Sequence, residues 1–208
     1  LSYLPVYVVR STSAATVAMN DGLLEVVRAV ASRDPGTRIS NDGGWQSSKN
    51  LNFLEQDAEA VVNLHVHILR QVSAFLAELG LPDGISTNAA NDENLVPWVT
   101  IREAWANVNG YGHSNYEHTH STATFAGCYY VASGFGPKAA VDQSTGLRVH
   151  SAAAQKAKDV RHWTTAALGS AGTLALWPGD VVHSVPEHTG PHQRVSIAFN
   201  IGLTLRPK

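Results

Sequence analysis

Ten histidines stand in a chain of 208 residues of which only 15% are charged. Imidazole is the commonest side-chain ligand for transition metals, so the question is which of the ten can converge. His118 and His120 close the segment Tyr111-Gly-His-Ser-Asn-Tyr-Glu-His-Thr-His120. In extended backbone, residues two apart point to the same face, so both rings can reach one ion. His183 offers a third ring at the end of Trp177-Pro-Gly-Asp-Val-Val-His183, a tight turn running into a strand. Two ligands from one strand end and a third from a distant strand leave coordination positions open, the arrangement of a mononuclear site that admits further reactants. Eleven residues after His183 come Arg194 and Ser196, two apart on the next strand. A guanidinium fork matches a carboxylate bidentately, so this pair could hold the far end of a dicarboxylate.

The elements that must carry these residues change character along the chain. Leu23–Ala31 has helical apolar spacing after Asn20-Asp21 and stops before Asp34-Pro35-Gly36, which predicts a short helix. Asn41–Ser48 is turn chemistry. From Leu51 to Leu79 the positions Leu54, Ala58, Val61, His65, Ile68, Val72, Phe75 and Leu79 form one stripe, which predicts a longer helix with His65 toward the core and His67 toward solvent. After about residue 95 the β-like runs Trp98–Val108, Thr124–Ala132, Leu174–Trp177 and Val195–Leu205 follow. Helices first and strands later predict a single α+β domain over residues 1–208, mainly helical over 1–95. A sandwich or small jelly-roll barrel over 96–208 would carry the helices on one of its sheets. An excursion at about 134–172, with a helix-prone Ser151–Arg161, has the length of a lid or binding loop.

Taken together, the two histidine segments resemble those of the Fe(II)/2-oxoglutarate-dependent oxygenases, above all a bacterial and phage group. Its pattern reads W-x-N, G…N-x-x-H-x-H, S/A-G-x-Y-Y-V and W/F-P…H-x-V…R-x-S-x-x-F-N. This sequence carries Trp105 and Asn107; Gly112, Asn115, His118 and His120; Gly127, Tyr129, Tyr130 and Val131; and Trp177, Pro178, His183, Val185, Arg194, Ser196, Phe199 and Asn200. Ser40-Asn41 and Gly44-Trp45-Gln46-Ser47 resemble the group as well. The resemblance implies a double-stranded β-helix (jelly-roll or cupin-like) core. It implies Fe(II) on His118, His120 and His183, dioxygen as co-reactant, and the 2-oxoglutarate C5 carboxylate on Arg194 and Ser196, with Tyr130 adding its hydroxyl by analogy with prolyl-hydroxylase-like members. The implied reaction is hydroxylation of a small polar metabolite, such as an amino acid or natural-product intermediate, with release of succinate and CO2. Most of the wider superfamily has aspartate in place of His120. Either three neutral imidazoles bind the iron here, or His120 stands behind the ligands or faces substrate; Glu117 and Asp180 are nearby carboxylates that could substitute. A halogenase would need a small residue at that place.

The other polar residues weigh less. Asn107, Asn109, His113 and Tyr116 flank the metal segment and are the candidates for orienting substrate. His188 and His192 bracket a hairpin turn and are expected at the surface, and His150 and His162 would reach the site only through closure of the excursion. Cys128, the only cysteine, excludes an internal disulfide and lies among strand formers as a small buried hydrophobe. A net charge of −2 gives no footprint for nucleic acid or an anionic membrane. The opening residues lack a signal-peptide pattern and no apolar run approaches a membrane span, which predicts a soluble, cytoplasmic chain acting on a small molecule. Two rival readings remain at this point. One is a three-histidine, cupin-like dioxygenase that needs no 2-oxoglutarate, against which Arg194 and Ser196 argue; the other is a non-enzymatic jelly-roll binding module.

Overall fold

The computed structural model describes residues 6–80, 95–136, 145–150, 162–163 and 169–207. Strand β1 (Tyr7–Arg10) precedes helix α1 (Ala14–Ala31), so the first element is a strand and not a helix. The helix begins nine residues before the apolar pattern does, because the Ser13 side chain caps it by accepting from the Thr16 N–H. Asn20, expected outside the helix, sits inside it and is buried, where its Oδ1 accepts the Tyr129 hydroxyl at 2.7 Å. Beyond α1, the Asp34 carboxylate accepts from the Ser48 and Gly36 N–H groups and from the Ser48 hydroxyl. These bonds tie the end of the helix to the loop that carries β2 (Asn41–Asp42) and β3 (Trp45–Gln46).

The long apolar stripe divides in two. Phe53–Glu55 makes one 3-10 turn, Ala58 is extended, and helix α2 runs over Glu59–Glu78. Its buried side chains are Val61, Leu64, Ile68, Val72, Phe75 and Leu76, each contributing roughly 1.5–3 kcal/mol by leaving water. Length and composition alone would let this helix cross a membrane, but that buried stripe is the core face of a packed helix. Of the expected stripe, Val61, Ile68, Val72 and Phe75 are buried, joined by Leu64 and Leu76, while His65 is half-buried and so is His67, which was expected toward solvent. Its ring meets Tyr129 edge-on at 5.8 Å, and burial lowers its pKa.

The remaining strands are β4 (Leu95–Asn109), β5 (Ser114–His118), β6 (Phe125–Ser133), β7 (Arg148–His150), β8 (His162–Trp163), β9 (Thr173–Pro178), β10 (His183–Val185) and β11 (Arg194–Pro207). They form two antiparallel sheets, a larger one in the order β1-β9-β6-β11-β4-β3 and a smaller one in the order β2-β5-β10-β7-β8. Alternation in the central strands assigns the faces. Tyr129 and Val131 of β6, Leu174 and Leu176 of β9, and Val195, Ile197, Phe199 and Ile201 of β11 pack with both helices. Gly127 leaves the space that the Phe199 ring fills, and a Cβ there would strike it. On the opposite face, Ala126, Cys128 and Tyr130 of β6 and Ala175 and Trp177 of β9 pack with Leu147 and Val149 under the smaller sheet. The order is therefore helices, larger sheet, smaller sheet, with the helices on one sheet as expected. The excursion after residue 134 supplies β7 and β8 to the smaller sheet, whereas its predicted helix, Ser151–Arg161, lies outside the described residues.

Candidate metal centre

The smaller sheet carries two of the three metal-segment histidines in direct register. His118 ends β5 opposite His183, which begins β10. His120 lies two residues past the strand end and is held by its own backbone: its N–H donates to the Gly179 carbonyl at 2.7 Å and its carbonyl accepts from Ala123 at 2.8 Å. Gly179 permits this close approach, since a Cβ there would fall 2.6 Å from the His120 oxygen. The three ring centroids are 4.2 Å (His118–His183), 4.9 Å (His120–His183) and 5.1 Å (His118–His120) apart. One nitrogen from each ring lies within 4.8 Å of the other two, a spacing that could hold one metal ion.

The protonation state suits ligation. Nδ1 of His118 meets the Tyr116 carbonyl at 2.7 Å and Nδ1 of His183 meets the Val181 carbonyl at 3.1 Å. A carbonyl only accepts, so Nδ1 bears the proton in both rings and Nε2 keeps its lone pair. Burial lowers the pKa of all three imidazoles, to about 4 for His120 and about 3 for His183, and in those two repulsion from the neighbouring rings adds to the effect. All three are neutral at pH 7, the state a metal requires. The Trp105 and Trp177 rings flank the cluster, 5.5 Å from His120 and 4.9 Å from His183 respectively. No carboxylate joins the cluster among the described residues. Asp180 is exposed, and the largely exposed Glu117 lies 3.5 Å from His150 Nε2. His150 reaches this neighbourhood as part of β7, through the sheet and not through a closing lid.

Arg194, Ser196 and Tyr130 occupy the inner face of the larger sheet. Ser196 is in register with Asn107 on one side and Tyr130 on the other, and Arg194 with Asn109 and Ser133. Four residues of β11, about 13 Å, separate Arg194 from Ala198, which pairs with Trp105 beside His120. Arg194 is 2% exposed; its Nη1 donates to the Thr145 carbonyl at 2.7 Å, while its buried Nη2 has no partner among the described residues. Burial pulls its pKa down. Beside it, burial raises the Tyr130 phenol well above its ordinary value, so the hydroxyl keeps its proton. Cys128 is pushed up to about 12 by burial and touches the Ser196 hydroxyl, consistent with an unreactive buried thiol.

A cavity of about 450 Å³ opens on the other side of the histidines. His118, His120, Trp105, Tyr116, Glu103 and Asn200 are among its walls. Of the residues expected to orient substrate, only Tyr116 lines it. Asn107 and Asn109 are buried in the rows of Ser196 and Arg194. His113 holds a turn instead: its Nδ1 accepts the Gly110 N–H at 3.0 Å and its ring covers Gly43 and Gly44. His188, expected at the surface, is fully buried, with Nε2 against the His192 carbonyl at 2.7 Å and its ring on Phe135; His192 is exposed as expected. Gly134 and Gly190 leave the room that ring needs, and two glycines facing one histidine were the available signal. Sequence reasoning missed Lys49, Glu103 and the cavity role of Asn200.

Residues 103–200 match a family described as "Putative 2OG-Fe(II) oxygenase". None of the curated proteins compared matches the sequence. Among solved structures, a Pseudomonas putida prolyl-4-hydroxylase is similar at a TM-score of 0.59 and 16% identity, over 95% of this chain and 91% of that one. SnoK, a non-haem α-ketoglutarate-dependent carbocyclase from nogalamycin biosynthesis, gives 0.65 and 11%, over 97% and 82%. The epimerase SnoN, solved with Fe3+, α-ketoglutarate and nogalamycin RO, gives 0.59 and 12%, over 98% and 81%. At these identities the likeness is one of fold.

Proposed function

We propose, from the match of residues 103–200 to the 2OG-Fe(II) oxygenase family, that the chain is such an oxygenase with Fe(II) and 2-oxoglutarate as its cofactors, and that it hydroxylates a C–H bond of a small polar metabolite. An amino acid or a natural-product intermediate is the class that fits, with succinate and CO2 as the other products. We read the paired sheets as a double-stranded β-helix, with His118, His120 and His183 as the iron ligands and Arg194, Ser196 and Tyr130 as the grip on the distal carboxylate of 2-oxoglutarate. The observation that carries this reading is the pairing of two features on facing sheets: three neutral imidazoles within reach of one ion, and a buried guanidinium nitrogen without a partner among the described residues.

When bound, Fe(II) and 2-oxoglutarate supply the activation of dioxygen needed to oxidise a C–H bond. The chain's own residues bind and orient. Arg194 offers Nη2 and a full positive charge in a dry setting, where a charge-assisted bond to a carboxylate is strongest. Ser196 and the protonated Tyr130 hydroxyl flank it as neutral donors. The Nδ1 bonds of His118 and His183 fix the ring planes, so that Nε2 is presented without rearrangement. Trp105 and Trp177 shield the cluster from water. An arginine placed for a dicarboxylate disfavours a three-histidine dioxygenase that works without 2-oxoglutarate.

Anaerobic addition of Fe(II) and 2-oxoglutarate to the purified chain should give a visible charge-transfer band that neither gives alone. Admission of dioxygen should then release succinate. A chain that binds Fe(II) yet shows neither the band nor succinate would overturn this function.

A further inference from the structure

The cavity beside His118 and His120 has a floor built for more than shape. Where β4 and β11 pair, the register shifts between Asn200 and Ile201: Asn200 faces Glu103, the next pair is Ile201 with Ile101, and Arg102 is the extra residue. Such a bulge turns two consecutive side chains toward one side, and Arg102 and Glu103 both line the cavity, next to Asn200. Asn200 is 6% exposed. Its Nδ2 donates to Glu103 Oε2 at 3.5 Å, while its buried Oδ1 has no hydrogen-bond partner among the described residues. Two acceptors, one of them anionic, thus sit together, with Trp105 and Tyr116 in the same walls. A carboxylate beside an amide oxygen is the complement of an ammonium group.

Arg102 supplies the opposite charge. Its Nη1 is anchored on the Thr122 carbonyl at 2.8 Å. Its guanidinium lies over Gly202, where a Cβ would collide with it, so the strand leaves a cradle for this side chain. Its remaining donors can meet a carboxylate. The bulge therefore holds an anion and a cation on adjacent residues, with a buried open acceptor beside the anion.

We infer that this cavity takes a zwitterionic, amino-acid-like substrate, with its ammonium on Glu103 and Asn200 Oδ1 and its carboxylate on Arg102. The inference rests on the oxygenase reading above and narrows its substrate class. Asn200 and Glu103 then set specificity by binding substrate, not by binding iron or 2-oxoglutarate.

The test is calorimetric titration of the intact chain, both metal-free and anaerobically loaded with Fe(II) and 2-oxoglutarate. The probes are free L-amino acids, their N-acetyl derivatives and their methyl esters. At least one free amino acid should bind, and N-acetylation or esterification should each weaken it about ten- to hundredfold, the range for one charged hydrogen bond. Glu103→Gln should weaken the free amino acid and abolish the penalty for N-acetylation, and Arg102→Gln should do the same for the ester; a merely structural role would not erase one penalty selectively. Comparison of the probes on the unaltered chain needs no variant to fold. Equal binding of free, acetylated and esterified forms, or no binding by any free amino acid, would overturn the assignment. Discrimination among the probes without a charge-transfer band from Fe(II) and 2-oxoglutarate would uphold the cavity assignment and sink the oxygenase reading instead.

Discussion

Replacement of Arg194 by methionine isolates the interaction proposed to govern cosubstrate use. The side chain is 2% exposed and one of its terminal nitrogens is buried without a partner among the described residues, so in the unliganded protein the charge is only partly compensated. A charge-assisted hydrogen bond is worth about 1.5–3 kcal/mol, so its loss should weaken 2-oxoglutarate roughly ten- to hundredfold. Ligand linkage turns this into a melting experiment. With 2-oxoglutarate at about a hundred times the wild-type Kd, the ligand adds about 2.7 kcal/mol to stability. For a chain of this size that is about 5–11 °C in Tm. In the methionine variant the same concentration should add only about 0.4–1.4 kcal/mol, or about 1–6 °C. The unliganded Tm should move little, because the lost bond to the Thr145 carbonyl is offset by removal of a buried charge. Anaerobic scanning calorimetry with Fe(II) present reads both values. An undiminished ligand-induced shift in Arg194→Met would refute the pairing of this arginine with 2-oxoglutarate.

His183→Ala should abolish Fe(II) binding in equilibrium dialysis, whereas His120→Asp should retain part of it and His120→Ala should lose much of it; equal affinity in wild type and His120→Ala would remove that ring from the ligand set. Because burial holds His183 at about 3 and His120 at about 4, their rings stay neutral well below the ordinary imidazole range. Neither ring should therefore take up a proton between pH 7 and pH 5.5, and an NMR titration of His120 or His183 within that interval would contradict the buried, neutral pair. Asp34→Asn should cost about 2 kcal/mol at pH 7 by urea unfolding. Burial raises the pKa of Asp34, but the bonds from Ser48 and Gly36 outweigh it and hold the folded value below the unfolded one. The advantage of aspartate is thus complete above the unfolded pKa and should vanish as pH falls through the folded value; an equal deficit at pH 3 would argue against it.

The elements most legible in the sequence are those whose residues obey one period. The four long β runs became β4, β6, β9 and β11, extended by one to three residues at most ends, and the spacing of His118, His120 and His183 did announce a cluster. Arg194 and Ser196 share a face because both are even-numbered on a strand whose odd positions fill the helix-side core. Errors arose where a local irregularity breaks the period. Extended Ala58 breaks the stripe from Leu51 before α2 begins, and His67, which lies off that stripe, packs its ring on Tyr129 without any periodic signal to mark it. The Arg102 bulge is invisible to a two-residue alternation, so Glu103 and Asn200 were not read as one site. His188 looked like a hairpin residue, because a turn's composition says nothing about which sheet edge it folds under.

Strand β11 has consequences beyond its contacts. It is hydrogen-bonded along both edges, to β4 and to β6, from Arg194 to Ile201. Arg194 and Asn200 lie six residues apart on it, about 20 Å, with the metal-flanking level of Ala198 between them. That strand works as a jointless ruler. The separation between the buried arginine and the cavity floor is set once, when the chain folds, and neither can drift toward the other without breaking two ladders. Adjustment to molecules of different length must come from side chains and from the loops at the cavity mouth, because the gauge itself does not stretch.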